Sequence, residues 1–365
     1  MEDADSIAGS ARESVEALPS VEERAPAAEP PEQALLAGSP DAVPALFGQS
    51  GQLSRWISIA RAPVLLCSVA PVLVGATLLW SRGLPVVPWL LLATLAAAVL
   101  VQAAANVLDA YLDHVRAQRL TRLDPASSTA RDYSRSLSAL LEADIYPRDA
   151  LRVAAALFGG GALLSIPLLI VGGWPVLALG VAGALVAVLY SSTSYALKRL
   201  PLGEVAVFLG LGPGLIALTL FVQRQPVTPL ALGFGAGLGL FALALVEAAN
   251  LRAVAPEIRD GRLTMVRLLG PWRGRLFFVA CLVGAYALVI AYALPRGAPH
   301  GALAVLCSLP VSMLPLTGAL RARGAAAFMP VVHATVRAYA YFAFWLLAGL
   351  VLGDLYVRLL TVLRA

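Results

Sequence analysis

Charge is scarce in this chain of 365 residues: only 13% are Asp, Glu, Lys or Arg, against roughly 25% in an ordinary soluble domain. Lys198 is the only lysine among 27 basic residues. The three cysteines, Cys67, Cys281 and Cys307, are widely spaced and each lies in an apolar run. That excludes a disulfide framework and argues against a thiolate metal cluster. Of the three histidines, His114, His300 and His333, none stands in a catalytic motif. What remains is apolar: 59% of the chain is hydrophobic, more than one water-soluble core can enclose, so the sequence reads as an integral membrane protein. The pI near 9.3 then reflects topology rather than a nucleic-acid groove, because the basic residues are interleaved with long apolar stretches.

The little charge present is unevenly placed. The first 50 residues hold ten carboxylates against Arg12 and Arg24, a net of −8, so the remainder of the chain carries +13. Residues 1–52 are therefore expected to be a disordered acidic tail rich in Ala and Pro, unable to offset its ordering entropy by burial. The tail has neither the early apolar core of a secretory signal nor the acid-poor composition of a transit peptide. Residues 53–365 are expected to form one membrane domain.

Crossing about 30 Å of hydrocarbon takes about 20 helical residues. Uncharged runs of suitable length occur at 63–80, 83–108, 153–197 (long enough for two helices, broken at Gly172 and Gly173), 205–223, 225–246, 276–295 and 297–320, with a last apolar span at 331–352 interrupted only by Arg337. This predicts an all-α protein of nine transmembrane helices. With the N-terminus in the cytoplasm and the C-terminus outside, twenty basic residues beyond residue 50 fall inside and five outside, as the positive-inside rule requires. Eleven of the twelve carboxylates beyond residue 50 also fall inside, all but Asp354. Acids are not obliged to follow the arginines, so this crowding marks the cytoplasmic face as a polar, candidate catalytic mouth.

Two clusters stand out there. The second predicted helix ends with Asn106, Asp109 and Asp113, which recur at i, i+3 and i+7 and share one helical face. Two like charges on one face need a cation between them, and acids at membrane depth mark a site by default. The sixth predicted helix ends with Glu247, Asn250, Arg252, Glu257 and Asp260, followed by Gly261, Arg262 and Thr264. Mg2+ prefers hard oxygen ligands shared between one or two carboxylates and substrate phosphates. Two facing clusters could thus hold a diphosphate through Mg2+, with arginines on its other oxygens. The segment from His114 to Pro147 reads as a long polar loop able to cap them.

Nine helices with Asn- and Asp-led motifs ending the second and sixth resemble the UbiA-type membrane prenyltransferases, most closely the branch that prenylates 1,4-dihydroxy-2-naphthoate on the route to menaquinone. The stretch from Arg61 through Pro71 to Gly75 is similar to that branch's opening motif. Tyr146-Pro147-Arg148 and the segment Tyr195-Ala-Leu-Lys198-Arg199 to Gly203-Glu204 look like later ones. The likeness covers roughly residues 54–360. Two positions depart from it: Ala110 stands where the first motif has an Asp, and Ala253 where the second does.

The resemblance implies a bundle with a central cavity open to the cytoplasmic side of a bacterial inner membrane. Its chemistry joins a polyprenyl diphosphate to an aromatic acceptor with Mg2+. It implies Asp109, Asp113, Glu257 and Asp260 as metal ligands, the first three catalytic, and Asn106, Asn250, Lys198, Arg252, Arg262, Tyr111 and Tyr190 as substrate-binding residues. The two alanines leave a second expectation open, a degenerate member that binds isoprenoids or partners without transfer. A transporter would need a polar path outward, and the outer halves of the helices are nearly all apolar.

Overall fold

The computed structural model describes residues 51–123, 139–191, 196–260 and 263–364, so the acidic tail, the middle of the 114–147 segment and Arg262 lie outside the described residues. Among those described there is no strand, and nine helices are long and apolar enough to cross a membrane. They are α1 Ala62–Trp80, α2 Pro88–Leu123, α3 Pro147–Gly172, α4 Trp174–Ser191, α5 Pro201–Val222, α6 Pro229–Asp260, α7 Pro271–Ala293, α8 His300–Arg321 and α9 Met329–Arg364.

The ends of these helices follow local chemistry. Proline stands first in α3, α5 and α7, where its missing N–H has no intrahelical acceptor to lose. The break between α3 and α4 falls at Gly173, whose φ of 69° is open to glycine at little cost. Within α5 the run Gly210–Gly214 forms a π-type turn around Pro213, absorbing the hydrogen bond that proline cannot donate.

Charged residues extend the helices beyond the apolar runs. α2 has 36 residues, about 54 Å at 1.5 Å per residue, so its polar end projects past the hydrocarbon as helix. The expected loop from His114 is therefore helical as far as Leu123, and a short helix returns at Ala139–Glu142. The reason is that Ala117, Gln118, Arg119 and Arg122 are all good helix formers, and a polar composition alone does not unwind them.

The main core lies among α1, α6, α7 and α9, where Phe234, Phe241, Phe278, Tyr339 and Phe342 are buried. The Phe241 and Phe342 rings stand 4.9 Å apart, and Tyr286 meets Phe342 edge-on at 5.0 Å. The Tyr286 hydroxyl also shares hydrogen bonds with Ser308 (2.6 Å) and Ser312 (2.7 Å), tying α7 to α8 where a bare hydroxyl would be costly. A second apolar cluster joins Ile59, Val107, Ala110, Leu140, Ala150 and Ala154. By contrast α3 and α4 expose Leu163, Ile166, Ile170, Val181 and Leu185, side chains suited to lipid as their solvent.

Candidate active site

Along one face of α2 runs a polar ladder of Gln102, Asn106, Asp109 and Asp113, spaced by three or four residues as a helical face requires. It meets the segment that leads into α1. Gln102 donates to the Val64 carbonyl at 3.0 Å and Asn106 to the Ala60 carbonyl at 2.8 Å. The next residue, Arg61, has φ 52°, a left-handed conformation that typically costs a non-glycine residue about 1–3 kcal/mol. Its guanidinium reaches Asp109 Oδ2 at 3.1 Å. The strained turn is thus clamped on both sides of its carbonyl and side chain by α2.

Lys198, in the turn between α4 and α5, supplies the cation that the paired acids need. Its ammonium bonds Asp109 Oδ1 and, at 2.8 Å, Asp113 Oδ1. Ser191, closing α4, donates its hydroxyl to the same Asp109 oxygen, and Arg116 donates to Asp113 Oδ1 at 3.0 Å. Side-chain exposure is only 7% for Asp109 and 9% for Lys198 but 50% for Arg61. The cluster is therefore nearly enclosed, with one charged group facing outward. Tyr190 lies within electrostatic reach of Arg61.

The turn that carries Lys198 also reaches the second cluster. A Cβ on Gly203 would stand 2.4 Å from the Leu197 carbonyl oxygen, so only glycine closes this turn. It is followed by Glu204, which is 4% exposed. Glu204 Oε1 accepts from Asn250 Nδ2 at 3.1 Å and from the Met265 backbone N–H at 2.9 Å. The Arg199 carbonyl accepts from the Leu263 N–H at 2.7 Å. One segment, Lys198 to Glu204, therefore grips α2 with its lysine and α6 with its glutamate.

The structure brings together Asn106, Asp109, Asp113 and Lys198, and it connects Asn250 to them through the Glu204 turn. Tyr111 does not join them. Two positions after Asp109 it is turned about 200° round the helix, and it packs on the apolar cluster with Ile59 and Ala110. Arg252 lies at the α9 end of the region, its guanidinium 3.7 Å from Met329 Sδ. The side chains of Glu257 and Asp260 and all of Arg262 fall outside the described residues. Ser191, Arg61 and Glu204 are the contributors that motif reading did not single out. A signal for Arg61 and Glu204 lay in their places in the quoted motifs, but Ser191 had none.

Among the described residues no three acid, histidine or cysteine side chains converge as a ready-made metal cage. The donor set still suits Mg2+, which is commonly held by one or two carboxylates together with substrate phosphates: Asp109 and Asp113 present hard oxygens on one face.

Fold and site together define an integral membrane protein with acids, a lysine and arginines clustered where α2 meets the turn before α5. That is equipment for an anionic head on an apolar tail. The chain belongs to the UbiA prenyltransferase family, whose model matches residues 68–329, and it is a prenyltransferase. It is 22% identical over 295 residues to the 1,4-dihydroxy-2-naphthoate octaprenyltransferase of Bacillus subtilis, covering 81% of this chain and 91% of that one. Its identity to the protein of that name from Mycobacterium tuberculosis is 26% over 303 residues, covering 83% and 98%. A structure of a UbiA homologue from Archaeoglobus fulgidus superposes on 80% of this chain and 99% of that one, with TM-score 0.51 at 13% identity.

Proposed function

We propose that the protein transfers a polyprenyl group from an allylic diphosphate to an aromatic acceptor, with 1,4-dihydroxy-2-naphthoate favoured. The observation that carries this reading is the Lys198 ammonium lodged between Asp109 and Asp113 in a bundle of apolar helices. Two relatives that both align along more than four-fifths of the chain and act, by name, on that naphthoate support the choice of acceptor.

In this reading Asp109, Asp113, Glu257 and Asp260 would hold Mg2+ together with the diphosphate. A bound Mg2+ would supply positive charge to offset what grows on the leaving diphosphate as the allylic C–O bond breaks. Lys198 donates to a diphosphate oxygen, and Arg61, Arg252 and Arg262 to others. Asn106 and Asn250 complete the headgroup site. The apolar walls keep water from the allylic cation, with Tyr190 offering its π face. Tyr111 packs too far round α2 to do so. The site opens to the cytoplasm.

Ala110 bears on the alternative of a degenerate member. It is 4% exposed within the apolar cluster of Ile59, Val107 and Leu140, so the acid of the first motif is supplied one residue earlier, by Asp109. Ala110→Asp is accordingly expected to destabilise the protein by about 3 kcal/mol, the cost of an unpaired buried polar group, and not to raise activity. Ala253 is only partly buried, and Ala253→Asp is expected to leave the melting temperature unchanged. A stable, more active Ala110→Asp would contradict the register. The function itself is tested with membranes from expressing cells, Mg2+, a radiolabelled prenyl diphosphate and the naphthoate. Lipid-soluble labelled product is expected, and none with any common aromatic acceptor would sink the reading.

A further inference from the structure

Glu204 has no task in the chemistry just described, yet it is nearly sealed from solvent inside a membrane bundle, where a carboxyl group is expensive. Its contacts say what it holds. Oε1 accepts from the side-chain amide of Asn250 on α6 and from the backbone of Met265 beyond the second motif. Behind it lies Glu247, fully buried one turn before Asn250 on the same face of α6 and within electrostatic reach of Glu204.

The consequence falls on Asn250. An amide is planar, with its oxygen and its NH2 group on opposite branches. With Nδ2 committed to Glu204, what Asn250 can offer the site is Oδ1. Asn106 is held in the same way, its Nδ2 donating to the Ala60 carbonyl. Both asparagines therefore present an acceptor, which suits a cation accompanying the diphosphate rather than a phosphate oxygen. For Asn106 a backbone carbonyl sets this orientation; for Asn250 a buried glutamate does. We infer that Glu204 is a positioning residue, which fixes the amide of Asn250 with its oxygen toward the diphosphate site and anchors the chain after the second motif at Met265. This rests on the prenyl-transfer reading of the site.

The test uses the purified full-length protein and measures binding of geranyl diphosphate with Mg2+ by calorimetry, alongside the melting temperature. Glu204→Met, which fills the space without accepting a bond, is expected to weaken binding roughly tenfold or more, in line with the loss of outer-shell partners. Glu204→Gln keeps the acceptor for Asn250 and Met265 and turns its own NH2 toward Glu247, so it should stay within about threefold of the wild type. Asn250→Ala should weaken binding about as much as Glu204→Met, and the double variant no further, because both remove the same presented oxygen.

Additive losses would mean that Glu204 acts elsewhere and would overturn the inference. So would a Glu204→Gln variant as impaired as Glu204→Met, which would make Glu204 a proton carrier. A Glu204→Met protein that does not fold would assign Glu204 to stability and equally overturn it. If the wild type itself bound no geranyl diphosphate, the reading of the site would fail and the inference with it. Wild-type binding with an unaffected Glu204→Met would sink the inference alone.

Discussion

Lys198→Met is expected to lower prenyl transfer at least about 100-fold while leaving a protein that still inserts in the membrane. The ammonium bonds two carboxylates at once. Its loss leaves Asp109 with Arg61 and Asp113 with Arg116 as their remaining cationic partners. Removing one partner of a buried pair typically costs about 3–5 kcal/mol. Arg61 and Arg116 offset part of this, so a loss of about 2–3 kcal/mol is expected here, visible as a lower melting temperature. The catalytic loss is separate: a fixed donor aimed at growing charge is commonly worth 100- to 1,000-fold in rate. Lys198→Arg keeps the charge but not the compact single-point fit between two carboxylates, so it should recover stability more fully than activity. Transfer rates in membranes and melting curves of the purified variants separate the two effects.

Asp109→Asn should be as damaging. Asp109 accepts from Lys198, Ser191 and Arg61 together. An amide in its place turns NH2 toward donors on one branch and leaves two cations facing a neutral group. A loss of about 3 kcal/mol in stability and of at least 100-fold in transfer is expected. Asp113→Asn should cost less stability, since Asp113 is the more exposed of the pair at 14%. A sharper variant moves the acid by one position, Asp109→Ala with Ala110→Asp. The net charge is kept, but the carboxylate rotates about 100° away from Lys198 and into the apolar cluster. No recovery over Asp109→Ala alone is expected, and a recovered activity would contradict the register of α2.

The spans were legible because charge is so scarce: the apolar runs are bounded by charged residues, and the Gly172–Gly173 break between α3 and α4 falls where the two glycines place it. Their true ends were not legible. Helix continues through Arg119 and Arg122 on α2 and through Arg259 on α6, since leaving the hydrocarbon does not oblige a helix to stop. The shared face of Asn106, Asp109 and Asp113 followed from spacing alone. The cation between the acids could not, because Lys198 lies 85 and 89 positions away from them and only the folded turn before α5 delivers it. Ser191, 82 positions from Asp109, was hidden for the same reason. Tyr111, only two positions from Asp109, lies nearly opposite it on the helix and packs on the apolar cluster of Ile59 and Ala110. The alanine at 110 suggested a lost ligand, whereas packing shows it to be a core position.

The central claim is that the Lys198 cluster receives the headgroup of a prenyl diphosphate, and its most direct test is the heat of geranyl diphosphate binding to the purified full chain, with Mg2+ and then with EDTA. Saturable binding that weakens at least tenfold without Mg2+, and again in a folded Lys198→Met variant, is the predicted result. Binding that is absent in the wild type, or that is indifferent to Lys198, would contradict it.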